Sequence, residues 1–531
     1  MNKKLIISLS LIVLLSGCVS NKATSLAFVP YDYSCIELNN KIDINEDNYY
    51  QLKEYSPLEY EEYDESRGYI NDFRDLYSST NNGRTYLNAP STGEQHLLVI
   101  PVSFTDSDKT NQDEKKILIN NAFFGDESKN NFYSVGQYFD IASYGHLKLK
   151  GTVSDFYNID LSSTELRNNI NSRTSSSRYA ASRAVEWYQE NHDDISLYDN
   201  DKDGYIDSVF IVYDHPFDNS TDSLYWAYVD HMNKNEGINF LDGQGKIYVN
   251  NIEGNKYVST YAWASYNFLY PNNNYVDTHV YVHESGHLFG LVDYYSNNSY
   301  QPLGYLDMMD YNLGDHNAYS KMLLNWSTPK VVSGSGNISI RPSILSGDVI
   351  LIPTNSYNNT PYDEYLLLEY FAPISINEKD DRLSFTYNDA YHNSRTGKLY
   401  NQYGLKVYHV DSRLAYFKNK GLSSIIAMLD DEDYQNKLDN YRKTSLNRYC
   451  LDFAFDNNNS SHPLIALLPA DDENALLDGS CASNASLFKR GDSFGINNYQ
   501  NFKFYNGDEL EYSFVIEDIN PDRITINFSH K

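Results

Sequence analysis

The stretch Val282–Asp293 reads VHESGHLFGLVD, and it decides how the rest of the chain is interpreted. The apolar periodicity from about Val276 onward predicts that it lies on a helix. His283 and His287 are four residues apart, so their rings project from one helical face and can bind one metal ion. Glu284 lies beside them, where a carboxylate can serve as general base and then as general acid. Ordinary packing of the two histidines is the alternative.

Two residues extend this motif beyond its second histidine. Gly290 can adopt the positive φ that ends a helix, so the chain can turn back there. Asp293 can then return to the imidazoles as the third ligand of a zinc ion, a set that keeps one coordination position for water. The alternative for Asp293 is a carboxylate in a loop or at a helix end.

The chain resembles the metzincin metallopeptidases, and most closely the immune inhibitor A family, whose motif is HExxHxxGxxD. Asp307–Asp310, DMMD, looks like the Met-turn beneath the metal, with Met309 as its methionine; a pair of core methionines is the alternative. Tyr311 stands where some metzincins place a tyrosine that assists the oxyanion. The resemblance covers roughly residues 93 to 495, and Lys406 departs from it, since the family usually has an apolar residue there. Further segments that look like family landmarks are LVIPVSFTD, SVGQYFDIASYGHLKLKG, SKMLLNW, YLLLEY, GLKVYHVD, PLIALLPAD and LFKRGDSF.

This resemblance implies a zinc-dependent endopeptidase that hydrolyses extracellular proteins. His283, His287 and Asp293 would hold zinc, and Glu284 would be the acid–base residue. Two other functions stay open: a catalytically silent surface protein that binds or adheres to ligands, and a peptidase directed at glycoproteins or the cell wall. The intact Glu284 speaks against the silent protein, because a chain without catalysis has no chemical need for it.

Hydrophobic patterning predicts an α+β fold with a metzincin-like catalytic domain at residues 93–330 and a β-rich, sandwich-like domain at 331–531. In the first domain, strands are predicted at 96–104, 146–153 and 206–213, and helices at 113–124, 134–143 and 175–190. Pro329 and Gly334–Gly336 mark the boundary. Beyond it come the short strands NISIRP, DVILIP, EYLLLEYF, GLKVYHV, PLIALL, NFKFY, EYSFVI and RITINF, with a possible helical segment around Leu422 to Tyr441.

A second group of ligand-type residues lies in YDNDKDGYID, residues 198–207. Its carboxylates have the spacing of positions 1, 3, 5 and 9 of an EF-hand loop, with Gly204 at position 6 for the sharp turn. Position 12 is Phe210 instead of the usual Glu, so the loop is not a complete EF-hand. The sequence predicts a calcium site, with an acidic turn that holds no ion as the alternative; the ligands are Asp199, Asp201, Asp203, the Tyr205 carbonyl and Asp207.

The first residues predict export and lipid anchoring. Met1–Lys4 is cationic, Leu5–Leu14 is apolar but too short to span a bilayer, and Leu15–Cys18 resembles the bacterial lipobox. This pattern predicts a signal peptide at 1–17 and an acylated Cys18, which would anchor an extracytoplasmic lipoprotein to a bacterial cell-surface or outer membrane, from which it could be released. An ordinary signal peptide is the alternative. Residues 18–92 are predicted to form a tether or a propeptide.

Net charge and cysteine content limit the partners and the disulfide bonds that the sequence predicts. The net charge of −30 and the absence of a basic stretch exclude nucleic acid as a partner and leave protein substrates. Cys450 and Cys481 are predicted to form a disulfide in an oxidising compartment. Cys35 then has no predicted disulfide partner. His279, four residues before the motif, is either a residue near the site or a packed core histidine.

Overall fold

The computed structural model describes residues 48–52, 88–126, 129–130, 132–168, 173–200, 204–217, 224–232, 237–239, 247–249, 256–269, 276–383, 400–418, 425–428, 449–471, 473 and 476–531. These residues belong to one compact unit. They form a mixed α+β fold, as the patterning predicts. No helix of this part of the chain is both long and apolar enough to cross a membrane.

The described residues contain nine α-helices: α1 (Gln112–Phe124), α2 (Val135–Ala142), α3 (Ser163–Asn168), α4 (Arg173–Asn191), α5 (His279–Leu288), α6 (Met308–Tyr311), α7 (Ala318–Leu323), α8 (Ser343–Ser346) and α9 (Ile376–Leu383). Short 3₁₀ helices lie at Ile195–Tyr198, Tyr266–Leu269 and Asn484–Ser486.

The strands before the metal-binding motif are β1 (Tyr49–Gln51), β2 (Gly93–Ser103), β3 (Leu147–Val153), β4 (Tyr157–Asn158), β5 (Tyr205–Ile206), β6 (Val209–Tyr213), β7 (Tyr228–His231), β8 (Gly237–Asn239), β9 (Ile247–Val249), β10 (Tyr257–Val258) and β11 (Thr260–Ser265). Those after it are β12 (Lys330–Val332), β13 (Gly336–Ile340), β14 (Val349–Pro353), β15 (Glu364–Phe371), β16 (Gly404–Asp411), β17 (Leu414–Lys418), β18 (Ile425–Met428), β19 (Tyr449–Phe453), β20 (Ile465–Leu467), β21 (Ser493–Phe494), β22 (Tyr512–Asn520) and β23 (Arg523–His530).

The sheet beside the motif has the strand order β3-β2-β6-β11-β7, with β4 also paired to β2. Its strands are parallel except β7, which runs antiparallel to β11 at the end of the sheet. The central strand β6, VFIVY, is buried at every position because helices cover both faces, so its sequence does not alternate. The outer strand β3 alternates buried Leu147 and Leu149 with exposed lysines, as expected for a strand with one wet face.

The second half is built on two further sheets with a shared core. One has the order β1-β12-β14-β15-β16-β20, and the other has the order β13-β23-β22-β21. Alternate residues of β15 point to opposite sides: Leu366 and Leu368 pack into a cluster with Phe514 and Ile526 of the second sheet. Tyr365, Leu367 and Phe371 join the large cluster that also contains residues of α2 and α5. The first sheet is therefore buried on both faces.

Two predicted elements are wrong where the structure describes them. NFKFY does not form a regular strand, because the backbone N–H groups of Tyr505 and Asn506 donate to the carboxylate of Glu364 and not to a neighbouring strand. In the possible helix around residues 422–441, Ile425–Met428 forms β18, which pairs with β17; ladder pairing thus overrides the local pattern. The domain boundary predicted near residue 330 stays a prediction.

Candidate metal centre

The helix that carries the motif, α5, ends where the sequence places its glycine. Gly290 has φ of +89°, in the left-handed region. The N–H of Leu291 donates to the carbonyl of Gly286 at 3.2 Å, and the N–H of Gly290 donates to that of His287 at 3.0 Å. This pair of bonds is a Schellman motif, which satisfies the last carbonyls of the helix and turns the chain back. Asp293 follows this turn by three residues.

The two motif histidines present the same ring nitrogen to a common point. Nδ1 of His283 lies 2.8 Å from the carbonyl oxygen of Met308, and Nδ1 of His287 lies 2.7 Å from that of Leu291. A carbonyl only accepts, so each Nδ1 must carry a proton, and Nε2 is the nitrogen that has the lone pair when the imidazole is neutral. Backbone carbonyls thus fix the tautomer and the ring orientation that a metal ligand needs.

Asp293 is the third member of the group that could hold a metal ion. Its Oδ1 lies 3.0 Å from Nε2 of His283 and 3.3 Å from Nε2 of His287. One ligand atom from each of these three residues lies within 4.8 Å of the other two, and no other such group is found in the described part of the chain. The other oxygen, Oδ2, accepts a hydrogen bond from the hydroxyl of Tyr295 at 2.9 Å.

The electrostatics of this group favour a cation between the three side chains. Burial opposes protonation of His287, but the charge and hydrogen bond of Asp293, the charge of Glu284 and the Leu291 carbonyl together raise the pKa of His287 to about 9. Burial favours the neutral acid at Asp293, and the two imidazoles nevertheless hold its pKa well below the usual range. The carboxylate therefore stays ionised beside the two imidazoles, and these three side chains form a group that could hold a metal ion.

The predicted Met-turn lies directly beneath α5. Asp307 accepts the backbone N–H groups of Met309 at 2.7 Å and Asn317 at 2.8 Å, which holds the turn closed. A methyl group added at Gly286 would lie 2.7 Å from Sδ of Met309, so the glycine lets the methionine approach the helix backbone. The turn also supplies the Met308 carbonyl that orients His283.

Glu284 projects into a cavity of about 410 Å³ that contains all three candidate ligands. The residue is 6% exposed, and burial raises the pKa of Glu284 to about 7. A carboxyl group whose pKa is close to neutral pH can both take and return a proton. Tyr311, the residue predicted to assist the oxyanion, lines the same cavity with its ring edge-on to Tyr305.

The cavity includes four residues that the sequence analysis did not assign to the site. Tyr295 binds Asp293, Asp310 lines the wall, and Trp226 and Tyr228 come from the segment that includes β7. With 50 tyrosines in the chain, no spacing singled out Tyr295. Asp310 is part of DMMD, but the motif assigns it no contact. A strand of only four residues gave no alternating signal.

The predicted calcium loop is described only in part, because Asp201 and Asp203 lie outside the described residues. Asp199 is buried, accepts the N–H of Gly204 at 3.2 Å and forms an ion pair with Lys256. Asp207 is also buried and accepts the N–H of Asn200 at 2.7 Å. The Tyr205 backbone pairs with that of Tyr257 in β5 and β10. The calcium site stays a prediction.

The remaining predicted features lie either outside the described residues or outside the candidate ligand group. Cys18, Cys35 and the signal peptide lie outside the described residues, as does the side chain of Cys450, so lipidation and the disulfide with Cys481 stay predictions. His279 is not a ligand of the candidate site: its Nδ1 lies 2.5 Å from Asp277 and its Nε2 lies 2.7 Å from Asp380.

Comparison with models of known protein families and with curated proteins found no significant match to this chain.

Replacing Tyr295 with Phe is expected to weaken binding of the predicted zinc ion about 10- to 100-fold, because Asp293 loses the hydroxyl group that orients its carboxylate. Competition with a chromophoric chelator measures this affinity in the purified chain. Tyr300→Phe is the matched control, since Tyr300 is a buried tyrosine nearby in sequence that does not line the cavity. Equal affinity in wild type and Tyr295→Phe would show that the hydroxyl does not support the ligand.

Proposed function

We propose that this protein is a zinc-dependent endopeptidase that hydrolyses proteins outside the cytoplasm. The observation that carries the proposal is the convergence of His283, His287 and Asp293 beside Glu284 in one cavity. Two imidazoles with protonated Nδ1 atoms and one ionised carboxylate match the protein ligands of a catalytic zinc site. A bound zinc ion would supply Lewis acidity toward a substrate carbonyl and lower the pKa of water.

Glu284 is the residue of the chain that moves protons. Its carboxylate is next to the first ligand on α5 and shares the cavity with the ligands. It takes a proton from the attacking water and returns it to the amine that leaves when the peptide bond breaks. Burial keeps competing solvent away and brings the pKa of Glu284 to about 7, which suits both steps.

Among the described residues β7 is the last strand of its sheet, and it offers a place for an extended peptide beside the cavity. Tyr228, Val229 and His231 of β7 line the cavity, and β7 pairs on one side with β11. Arg178 holds Asp230 of β7 through two bonds of 2.8 and 3.1 Å, which anchors the strand to α4. An end strand can bind a peptide through its outward N–H and C=O groups, a mode that recognises main chain and accepts varied sequences.

Metal dependence tests this proposal. The chain without residues 1–18 is purified, its zinc content is measured by atomic emission, and cleavage of casein is followed before and after chelation. About one zinc per chain is expected, and activity should disappear with the chelator and return with added zinc. His287→Asn provides the matched variant that lacks one ligand and should hold less zinc. A chain that binds no zinc, or that cuts casein equally well after chelation, contradicts the proposal.

A further inference from the structure

Asn457 is a buried side chain that joins the second half of the chain to the segment after Asp293. It is 2% exposed and lies between β19 and β20. Its Nδ2 donates to the carbonyl of Tyr294 at 2.8 Å, and its Oδ1 accepts the N–H of Ile465, the first residue of β20, at 3.0 Å. A carbonyl only accepts and an N–H only donates, so these two partners fix the orientation of the amide.

The segment that carries Asn457 is anchored to β16. Nε2 of His462 lies 2.6 Å from Oδ2 of Asp411, the last residue of β16, whose side chain has no exposed surface. The ring of His462 also stacks on that of Phe455, with 3.5 Å between the ring centroids. These contacts hold the segment on both sides of Asn457, so the second half of the chain sets the position of the amide.

The backbone of Tyr294 is held from two directions. Its N–H donates to the carbonyl of Met309, in the turn beneath α5, at 2.8 Å, and its carbonyl accepts from Asn457. Its hydroxyl lies 2.8 Å from Oγ of Ser320, and the residue is fully buried. Asn457 thus fixes the peptide group between Tyr294 and Tyr295, and the orientation of that group sets where the Tyr295 side chain begins.

Tyr295 depends on this support because its own ring is not enclosed. The residue is 36% exposed, yet its hydroxyl lies 2.9 Å from Oδ2 of Asp293 and orients that carboxylate. A partly exposed side chain loses rotamer freedom when its hydroxyl is held in one place. A fixed backbone lowers that entropic cost, since it limits the positions that the ring can adopt.

We propose that Asn457 is a positioning residue for the metal site: it holds the Tyr294 carbonyl so that the Tyr295 hydroxyl supports Asp293 as a ligand. The inference rests on the proposed function, because it requires the zinc ion of that proposal, and it makes the site depend on the second half of the chain. Groups that orient the ligands of a metal contribute to its affinity although they do not touch the ion.

A double-mutant cycle on zinc affinity tests this role. Dissociation constants of zinc are measured by competition with a chromophoric chelator for wild type, Asn457→Leu, Tyr295→Phe and the double variant. Asn457→Leu is expected to weaken zinc binding about 10-fold, within the range for loss of a group that orients a ligand. In the Tyr295→Phe background the same substitution should have no further effect, because the hydroxyl that Asn457 positions is already absent.

Two further variants separate positioning from a general loss of stability. Asn458→Ala changes the exposed neighbour of Asn457 and removes the acceptor for the N–H of Asn297, which it binds at 2.9 Å; zinc affinity should stay at the wild-type value. Asn457→Asp keeps the acceptor for Ile465 and replaces the donor to Tyr294 with an oxygen, so it tests the donor even when Asn457→Leu fails to fold. Its added negative charge would by itself attract zinc, so weaker binding in this variant identifies the lost donor.

The outcomes distinguish this inference from the function on which it rests. A wild-type chain that holds zinc and cuts casein, beside a folded Asn457→Leu or Asn457→Asp variant of equal zinc affinity, overturns the positioning role and leaves the endopeptidase proposal intact. Equal weakening by Asn457→Leu in the wild-type and Tyr295→Phe backgrounds shows that Asn457 does not act through Tyr295, which also overturns it. If wild type binds no zinc, both proposals are wrong.

Discussion

Replacing Glu284 with Gln is expected to lower kcat by about 1,000-fold, within the range for loss of a general acid–base group. The amide has nearly the same volume but cannot take a proton from water. His283, His287 and Asp293 are unchanged, so zinc content should stay at about one per chain. Initial rates of casein cleavage and atomic emission, measured on the same preparations, give both quantities.

Glu284→Asp is the matched control for this prediction. It keeps the carboxylate but withdraws it by one methylene, so activity should fall less than in Glu284→Gln. Neither variant should unfold at a lower temperature than wild type, because Glu284 is a costly buried acid rather than a stabilising one. A Glu284→Gln variant with wild-type kcat would show that another group transfers the proton.

Replacing His279 with Leu is expected to destabilise the fold by about 3–5 kcal/mol, the cost of breaking a buried ion pair. His279 lies between Asp277 and Asp380, and all three residues are at most 4% exposed. Burial disfavours the imidazolium, but the charges and hydrogen bonds of Asp380 and Asp277 together raise the pKa of His279 to about 10. Removal of the imidazolium takes away the positive charge that faces both buried carboxylates, and urea unfolding measures the loss of stability.

A triple variant tests whether the unbalanced charge, and not lost packing, destabilises His279→Leu. Adding Asp277→Asn and Asp380→Asn to His279→Leu removes all three charges and keeps an acceptor for the N–H of Gly314, which Asp380 binds at 2.5 Å. Replacing a whole buried ion cluster costs far less than breaking it, so the triple variant should regain much of the lost stability. A triple variant as unstable as the single one would assign the loss to packing instead.

The same cluster gives the stability a defined pH dependence. The pKa of His279 is raised from 6.5 to about 10 in the folded chain, which therefore holds a proton that the unfolded chain releases above pH 6.5. The resulting stabilisation is fully present below pH 6.5 and is lost as pH rises through 10. The stability advantage of wild type over the triple variant should shrink accordingly between those two values. A constant difference across that range would show that His279 is not protonated in the folded protein.

The sequence could anticipate the features of the site that depend on local geometry. A four-residue spacing puts His283 and His287 on one helical face, and only glycine adopts φ of +89° at position 290 without strain. The apolar runs of the central strands likewise identify the α+β layer, because strands covered on both faces need no alternation.

Features that depend on distant parts of the chain could not be anticipated in this way. His279 meets Asp380 across 101 residues of sequence, and no spacing rule connects the two. NFKFY alternates like a strand, but the carboxylate of Glu364 accepts the N–H groups of its last residue, Tyr505, and of Asn506. The burial of Asp310 at the wall of the cavity is likewise visible only once the packing around it is known.

Hydrolysis of a peptide bond in ¹⁸O-labelled water tests the central claim most directly. Zinc-loaded wild type is incubated with a protein substrate in this water, and the fragments are identified by mass spectrometry. New carboxyl termini that carry one ¹⁸O, and that are absent with chelator or with Glu284→Gln, are the result that the zinc endopeptidase account predicts. A substrate that stays intact beside a chain holding one zinc would contradict it.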